Sequence, residues 1–198
     1  MAPETQPAVA NPAPLGLIGF GLTTVILSLI NAGLLPRGGE NVVIPLALAY
    51  GGLIQMIAGI LEFRTGNTFG VVAFLSYGAF WWWFALLLLF AGNGLISLKG
   101  ADTTIGATLM AWGVFTMYMW IGTFRLSRAL WLVFLTLWVT FYLLGLGAFF
   151  HVPGLTHAGG WVGIACGSLA AYTSFALVTN ATLGREALPT GPLTGPSG

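Results

Sequence analysis

The chain has 198 residues, of which 57% are hydrophobic and only 6% are charged, whereas soluble globular domains carry about 25% charged residues. This composition excludes a soluble domain and predicts an integral membrane protein with several spans. A net charge of +1 without a basic cluster excludes a nucleic-acid-binding surface. The single cysteine, Cys166, excludes an intrachain disulfide and a thiolate metal cluster. We expect neither a metal nor another cofactor.

Uncharged stretches long enough to cross a bilayer follow one another along the chain, since a helical span needs about 20 residues. They are Leu15–Leu35, Val42–Leu61, Thr65–Leu98, Thr103–Phe124, Ala129–Phe150 and Ala158–Gly184. The third is too long for one helix, and breaks at 67–70 and 92–94 are expected to shorten it. We therefore predict an all-α membrane protein with six transmembrane helices in residues 15–184. Residues 1–14 are expected to form an N-terminal tail, and residues 185–198 a disordered C-terminal tail.

Basic residues are distributed unequally between the two ends of these spans. Four of them follow the even-numbered spans, namely Arg64, Arg125, Arg128 and Arg185, and two follow the odd-numbered spans, namely Arg37 and Lys99. Basic residues accumulate on the cytoplasmic side of membrane proteins. The pattern predicts a multi-pass protein of the plasma (inner) membrane with both termini in the cytoplasm.

The interiors of the predicted spans contain no candidate catalytic group. An enzyme within the bilayer would need ionisable side chains inside its spans, and no charged residue lies near the middle of any span. His151 and His157 fall in a Pro/Gly-rich loop, and their spacing differs from the i, i+4 pair of a helical metal site. Ordinary loop histidines are the interpretation we favour, and we predict that the protein is not an enzyme.

Neutral polar side chains remain as candidates for a pathway through the bundle. Thr23 lies on the first predicted helix and Gln55 on the second. An isolated hydroxyl in a membrane helix usually bonds the carbonyl four residues earlier, so Thr23 by itself carries little information. A carboxamide in mid-span is costlier to leave unpaired, so Gln55 either joins two helices or lines a pore.

The first predicted helix opens with the motif Asn11-Pro12-Ala13-Pro14. Proline is favoured in the first turn of a helix and asparagine is a good N-cap, which favours a plain helix start. The functional alternative is that free amides and the positive end of the helix dipole face a cavity that holds an anion.

Three segments carry a resemblance to a known family: NPAPLGLIGFGLTT at 11–24, ILEFRTGNTFGVVAFLSYGAFW at 60–81 and WGVFTMYMWIGTFRLSRALWLVFL at 112–135. They resemble the acetate uptake transporter family, and the resemblance extends over residues 11–184. It implies a homo-hexameric ring of six-helix protomers, each with its own pathway. It also implies transport of small monocarboxylates, acetate first and succinate in some members, by either a channel-like route or proton symport.

The resemblance further implies a narrow apolar constriction formed by Phe20, Tyr77 and Leu137, with Ala170 shaping substrate size. The spacing of the first three is consistent with a ring. Each lies nine or ten residues after the expected start of one of three parallel helices, which is about 14 Å into the membrane at about 1.5 Å per residue. Equal depth follows from this spacing, whereas the facing of the side chains rests on the resemblance.

An apolar ring would block a hydrated anion, so hydrogen-bond donors must offset the loss of hydration. The Tyr77 hydroxyl and the carboxamides of Asn11 and Asn67 are the candidate donors. Alternatively, the solute crosses as the neutral acid, and Glu62 is then the candidate proton relay. An interfacial charge at a helix end is the interpretation we favour for Glu62. A membrane subunit with a structural or regulatory role is the alternative from another functional class.

Overall fold

The computed structural model describes residues 9–193 and contains six long helices joined by short connections. Each helix is apolar and long enough to cross a membrane, which confirms the predicted all-α architecture. The helices are α1 Ala13–Asn31, α2 Glu40–Thr65, α3 Thr68–Gly92, α4 Asp102–Arg125, α5 Arg128–Phe149 and α6 Pro153–Leu183. Because the number of spans is even, α1 begins and α6 ends on the same face of the bundle.

Helix α2 changes its winding in the middle. It is α-helical at Glu40–Leu46, a π-helix at Ala47–Ile54, and α-helical again at Gln55–Thr65. Pro45 lacks an N–H and its ring crowds the carbonyl four residues earlier, and the wider winding begins shortly after it. The indole N–H of Trp82 on α3 donates to the carbonyl of Leu48 at 3.0 Å, which satisfies one backbone group of the π segment. Such segments are frequent at functional sites, and this one ends directly before Gln55.

Helices α1 and α6 approach each other closely at two glycines. A β-carbon on Gly21 would lie 2.8 Å from the carbonyl oxygen of Gly167, and one on Gly167 would lie 2.7 Å from that of Gly21. Neither position can carry a side chain unless the helices separate. The methyl group of Ala170 belongs to the same contact, 3.3 Å from a β-carbon at Gly21. The crossing therefore fixes the position of Phe20, the neighbour of Gly21.

Helix α6 is longer than the composition predicts, because it begins at Pro153 rather than at residue 158. Proline is suited to a first helical turn, where its missing N–H needs no partner. His157 consequently lies on the helix and not in a loop, which corrects the expectation. His151 does lie in the preceding turn, with φ of +54°, and its Nδ1 is 3.9 Å from the carboxylate of Asp102.

The segment that follows α6 folds back onto the bundle, where we expected disorder. The Asn180 side chain accepts hydrogen bonds from the amides of Ala187 and Leu188 at 2.8 and 2.9 Å. The amide of Arg128, at the start of α5, donates to the carbonyl of Gly191 at 2.7 Å. Composition could not predict these bonds, because their partners lie on other parts of the chain. Residues 1–8 and 194–198 of the two expected tails lie outside the described residues.

Candidate functional site

Two cavities lie one behind the other inside the bundle. The first, termed the glutamine cavity, has a volume of about 70 Å³, and its wall is apolar apart from Gln55, Asn67 and Tyr77. The second, termed the tryptophan cavity, has a volume of about 250 Å³ and contains Trp81 and Trp83 in its wall. Its polar lining residues are Thr24, Ser28, Asn31, Thr140 and Thr156. A water molecule needs about 10–15 Å³ on the same measure, so each cavity has room for a solute of a few heavy atoms.

The boundary between the two cavities is formed by Phe20 and Leu137, which line both. Tyr77 lines the glutamine cavity beside them, with its ring centroid 5.9 Å from that of Phe20. All three side chains are buried, and they lie on α1, α3 and α5, which run in the same direction. The structure therefore brings together the three residues that we expected at one depth.

An aromatic cluster surrounds Tyr77. Its ring centroid lies 6.0 Å from that of Phe134 on α5 and 5.4 Å from that of Phe115 on α4. The Tyr77 hydroxyl donates to Oγ1 of Thr116 at 2.9 Å, and Thr116 donates in turn to the carbonyl of Trp112 at 2.7 Å. The hydroxyl proton is thus used within the protein, contrary to the expectation that it is offered to a passing carboxylate.

We predict that Tyr77 and Thr116 stabilise the fold as a pair. Tyr77→Phe and Thr116→Val should each lower the free energy of unfolding by about 1 kcal/mol, the usual value of such a hydrogen bond. The double variant should lose less than the sum of the two single losses, because the bond between the two side chains is removed by both changes. Thermal unfolding of the four proteins in one detergent measures this. Fully additive losses would show that the two hydroxyls act independently.

Gln55 is fully buried, yet its carboxamide has no partner in the part of the chain that the structure describes. Within the described residues, neither Oε1 nor Nε2 makes a hydrogen bond. An unpaired buried polar group costs about 1–3 kcal/mol, and in native proteins it needs a specific explanation such as a bound solute or solvent. The side chain lines the glutamine cavity. Of the two interpretations of Gln55, the geometry favours the pore-lining one over the interhelical bridge.

Asn67 lines the same cavity, and each end of its carboxamide makes one hydrogen bond within the protein. Its Oδ1 accepts from the amide of Gly70 at 3.1 Å and caps α3, and its Nδ2 donates to Oε2 of Glu62 at 3.0 Å. The Thr65 hydroxyl donates to the same Oε2 at 2.9 Å, whereas Oε1 of Glu62 has no partner in the described part of the chain. Glu62 is only 1% exposed. It is a buried carboxyl group and not the interfacial charge that we favoured.

Three further candidates line neither cavity. Asn11 is exposed, and its Oδ1 accepts from the amide of Ala13 at 3.0 Å. Thr23 donates to the carbonyl of Gly19 at 2.8 Å, as an ordinary helix hydroxyl does. Ala170 packs at the α1–α6 crossing. It contacts α1 next to Gly21, the neighbour of Phe20.

Sequence reasoning missed Val133 and Phe134 in the glutamine cavity and Trp81 in the tryptophan cavity. The available signal was helical spacing, since residues three and four apart share one face of a helix. Val133 and Phe134 lie four and three residues before Leu137, and Trp81 lies four residues after Tyr77. The indole N–H of Trp81 is buried and has no partner among the described residues.

Comparison with known proteins identifies the relatives of this chain. The family model described as the GPR1/FUN34/yaaH family matches residues 1–194. The succinate-acetate/proton symporter SatP of Escherichia coli (strain K12) is 43% identical over 183 residues, which cover 92% of this chain and 96% of that protein. Acetate permease A of Emericella nidulans is 40% identical over 187 residues, which cover 87% of this chain and 63% of that protein.

The solved structures include a close match to the whole bundle. The structure of the bacterial acetate channel SatP has a TM-score of 0.89 and 41% sequence identity, covering 93% of this chain and 100% of that one. The resemblance found in the sequence motifs is confirmed by these matches, which extend over nearly the full chain. This protein therefore belongs to the GPR1/FUN34/yaaH family.

Proposed function

We propose that this protein is a membrane permease or channel for small monocarboxylates, chiefly acetate, with succinate as a further substrate. The observation that carries the proposal is the pair of cavities that meet at Phe20 and Leu137, with the unpartnered carboxamide of Gln55 in the wall. Relatives named as an acetate channel, an acetate permease and a succinate-acetate/proton symporter support the same substrate class. They also support transport over catalysis.

Gln55 offers the hydrogen bonds that a carboxylate needs after it loses its water. The Nε2 group donates to the oxygens of an ionised carboxylate, and Oε1 accepts from the hydroxyl of the neutral acid. Either protonation state of the solute therefore finds a partner at the same side chain. The apolar remainder of the cavity wall suits the methyl group of acetate.

The constriction acts as the size filter in this proposal. Phe20, Tyr77 and Leu137 contribute two rings and a branched aliphatic group, so no fixed charge holds an ion at the narrowest point. A fully hydrated ion is excluded, because an apolar constriction offers nothing in exchange for its water. A small carboxylate passes because Gln55 donates a hydrogen bond to it on one side of the constriction, and because its methyl group can lie against the apolar ring.

Glu62 is the residue that we propose for proton movement. Its Oε2 is held by Thr65 and by Asn67, and Asn67 lines the glutamine cavity. Its Oε1 is free of partners within residues 9–193. This oxygen can gain or lose a proton while Oε2 keeps both hydrogen bonds, so the local structure need not change with protonation.

Purified protein in lipid vesicles tests the proposed function. We expect labelled acetate to enter these vesicles several-fold faster than it enters empty vesicles of the same lipid. Acetic acid that crosses the lipid itself is the background. The matched control is Leu137→Trp, which fills the constriction and should return influx to that background in protein shown to be folded. Equal influx in wild-type, Leu137→Trp and empty vesicles would exclude transport and leave the structural or regulatory subunit as the remaining alternative.

The oligomeric state that we propose is a ring of six identical chains. A homo-hexamer, with one pathway in each protomer, agrees with the apolar side chains that α4 leaves exposed, among them Val114, Tyr118 and Ile121. Lipid can cover such a face as well as a neighbour can, so the oligomeric state needs its own measurement. We expect native mass spectrometry in mild detergents to give a six-chain species, and monomers in every detergent would contradict it.

Both termini are proposed to face the cytoplasm, from the distribution of basic residues.

A further inference from the structure

A third cavity, of about 300 Å³, opens on the face of the bundle opposite the start of α1 and the end of α6. We term it the arginine vestibule. It lies between the end of α1, the connection that follows, and the first turns of α6, and its polar lining residues are Asn31, Arg37, Glu40, Thr156 and His157. None of these five residues forms part of the constriction or of the glutamine cavity.

The vestibule adjoins the proposed pathway. Asn31 and Thr156 line both the vestibule and the tryptophan cavity, so they form the boundary between the two. The tryptophan cavity in turn ends at Phe20 and Leu137. The arginine vestibule is therefore the outermost of three adjacent cavities on this face of the bundle.

The basic groups of the vestibule are available to a ligand. Within residues 9–193, His151 and Asp102 are the one pair of basic and acidic side chains whose nitrogen and oxygen lie within 4.0 Å, so the Arg37 guanidinium has no carboxylate partner there. The Glu40 carboxylate accepts from the amide of Gly38, and it lies in the first turn of α2, where a helix dipole stabilises negative charge.

A tight turn at the end of α1 lies against His157 on α6. Gly33, with φ of +73°, follows the end of α1, and a β-carbon there would lie 3.7 Å from both Cε1 and Nε2 of His157. The absence of a side chain at Gly33 leaves this edge of the imidazole accessible. The imidazole can donate a hydrogen bond in either protonation state.

We propose that the arginine vestibule is a binding site for a small carboxylate anion, with Arg37 and His157 as its donors. The inference rests on the proposed function and deepens it. Arg37 supplies a planar pair of N–H donors that matches a carboxylate, and His157 on α6 supplies one more. The site raises the local concentration of the anion at the entrance of an uncharged pathway, an effect that salt screens.

The first test measures binding without transport. Diethyl pyrocarbonate modifies accessible histidines, and peptide mass spectrometry separates His157 from His151 in detergent-solubilised protein. We expect acetate, compared with chloride at equal ionic strength, to slow the modification of His157 at least twofold and to leave His151 unchanged. The protection should be lost in Arg37→Gln. Equal rates at His157 in acetate and chloride, or full protection in Arg37→Gln, would overturn the proposal.

The second test uses flux into vesicles at low ionic strength. Arg37→Gln should lower acetate influx about threefold at low acetate concentration and leave the saturating rate unchanged. The variant weakens binding of the anion at the entrance but does not alter the constriction through which it passes. Lys99→Gln removes the same charge on the same face outside the vestibule, so it serves as the matched control and should have no effect. Raising salt to about 1 M shortens the screening length to about 3 Å and should abolish the Arg37 effect.

The two tests separate this inference from the proposed function. Protection of His157 in a protein that passes no acetate would support the site and contradict the transport proposal. Normal wild-type flux with Arg37→Gln indistinguishable from Lys99→Gln would support transport and contradict the site.

Discussion

Truncation of Leu137 to alanine is expected to let larger monocarboxylates such as lactate through the constriction. Leu137 lines both cavities beside Phe20, so loss of its isobutyl group joins the two cavities by a wider opening. We expect the lactate-to-acetate flux ratio to rise about tenfold, the scale on which packed apolar pockets discriminate by small groups. The measurement is competitive influx of the two labelled acids into vesicles.

Leu132→Ala is the matched control for this change. Leu132 lies on the same helix but is 38% exposed on the outside of the bundle, and it lines neither cavity. Leu137→Ala should cost about 2 kcal/mol of unfolding free energy, the lower end for a leucine truncation, because the site already adjoins empty space. An unchanged flux ratio in Leu137→Ala protein that is folded and assembled would falsify the assignment of Leu137 to the constriction.

Replacement of Gln55 by methionine is expected to separate stability from transport. The change keeps the length of the side chain and removes a buried carboxamide without a partner. We expect the unfolding free energy to rise by about 1 kcal/mol, since an unsatisfied polar group is lost. Acetate flux should fall about tenfold, because a hydrogen bond to a charged group contributes about 1.5–3 kcal/mol. Thermal unfolding and vesicle influx on the same preparation measure both.

Thr173→Val is the control for Gln55→Met. Thr173 is likewise buried, but its hydroxyl donates to the carbonyl of Leu169 at 2.7 Å on its own helix. Its replacement should leave acetate flux unchanged. Should Gln55→Met lose stability and keep its flux, Gln55 would be a structural bridge between helices, and the donors for the carboxylate would have to lie in the tryptophan cavity.

Helix geometry alone predicted one feature of the pathway, the depth of its three constricting side chains. Equal depth of Phe20, Tyr77 and Leu137 followed from residue counts along parallel helices. The structure places Phe20 and Leu137 at the junction of the cavities and Tyr77 beside them. Depth is a property of each helix by itself. Whether the three side chains point toward one another depends on how the helices are rotated and packed, and residue counts along a helix give no information about that.

The expected hydrogen-bond donors show the opposite case. Tyr77 and Asn67 were predicted to serve the solute, and the structure gives each a protein partner that the prediction did not consider, Thr116 and Glu62. The prediction for Asn67 stands, because its NH2 group has a second N–H to offer. The sequence left Gln55 as either a bridge between helices or a pore-lining residue. The surroundings of its carboxamide, which lines the glutamine cavity without a partner in the described residues, favour the pore-lining role. A polar side chain is available to a ligand when no neighbour satisfies it, and those neighbours come from other helices.

The sequence by itself determined the six spans, their common all-α architecture and the absence of charged residues from the middle of the spans. These follow from composition, because the bilayer requires long uncharged helices whatever their packing. Only the tertiary structure decided that residues 185–193 pack against the bundle, that Glu62 is buried, and that α6 starts at Pro153 and brings His157 to the vestibule. Each of these depends on contacts between distant parts of the chain, and hydropathy along a sequence does not record such contacts.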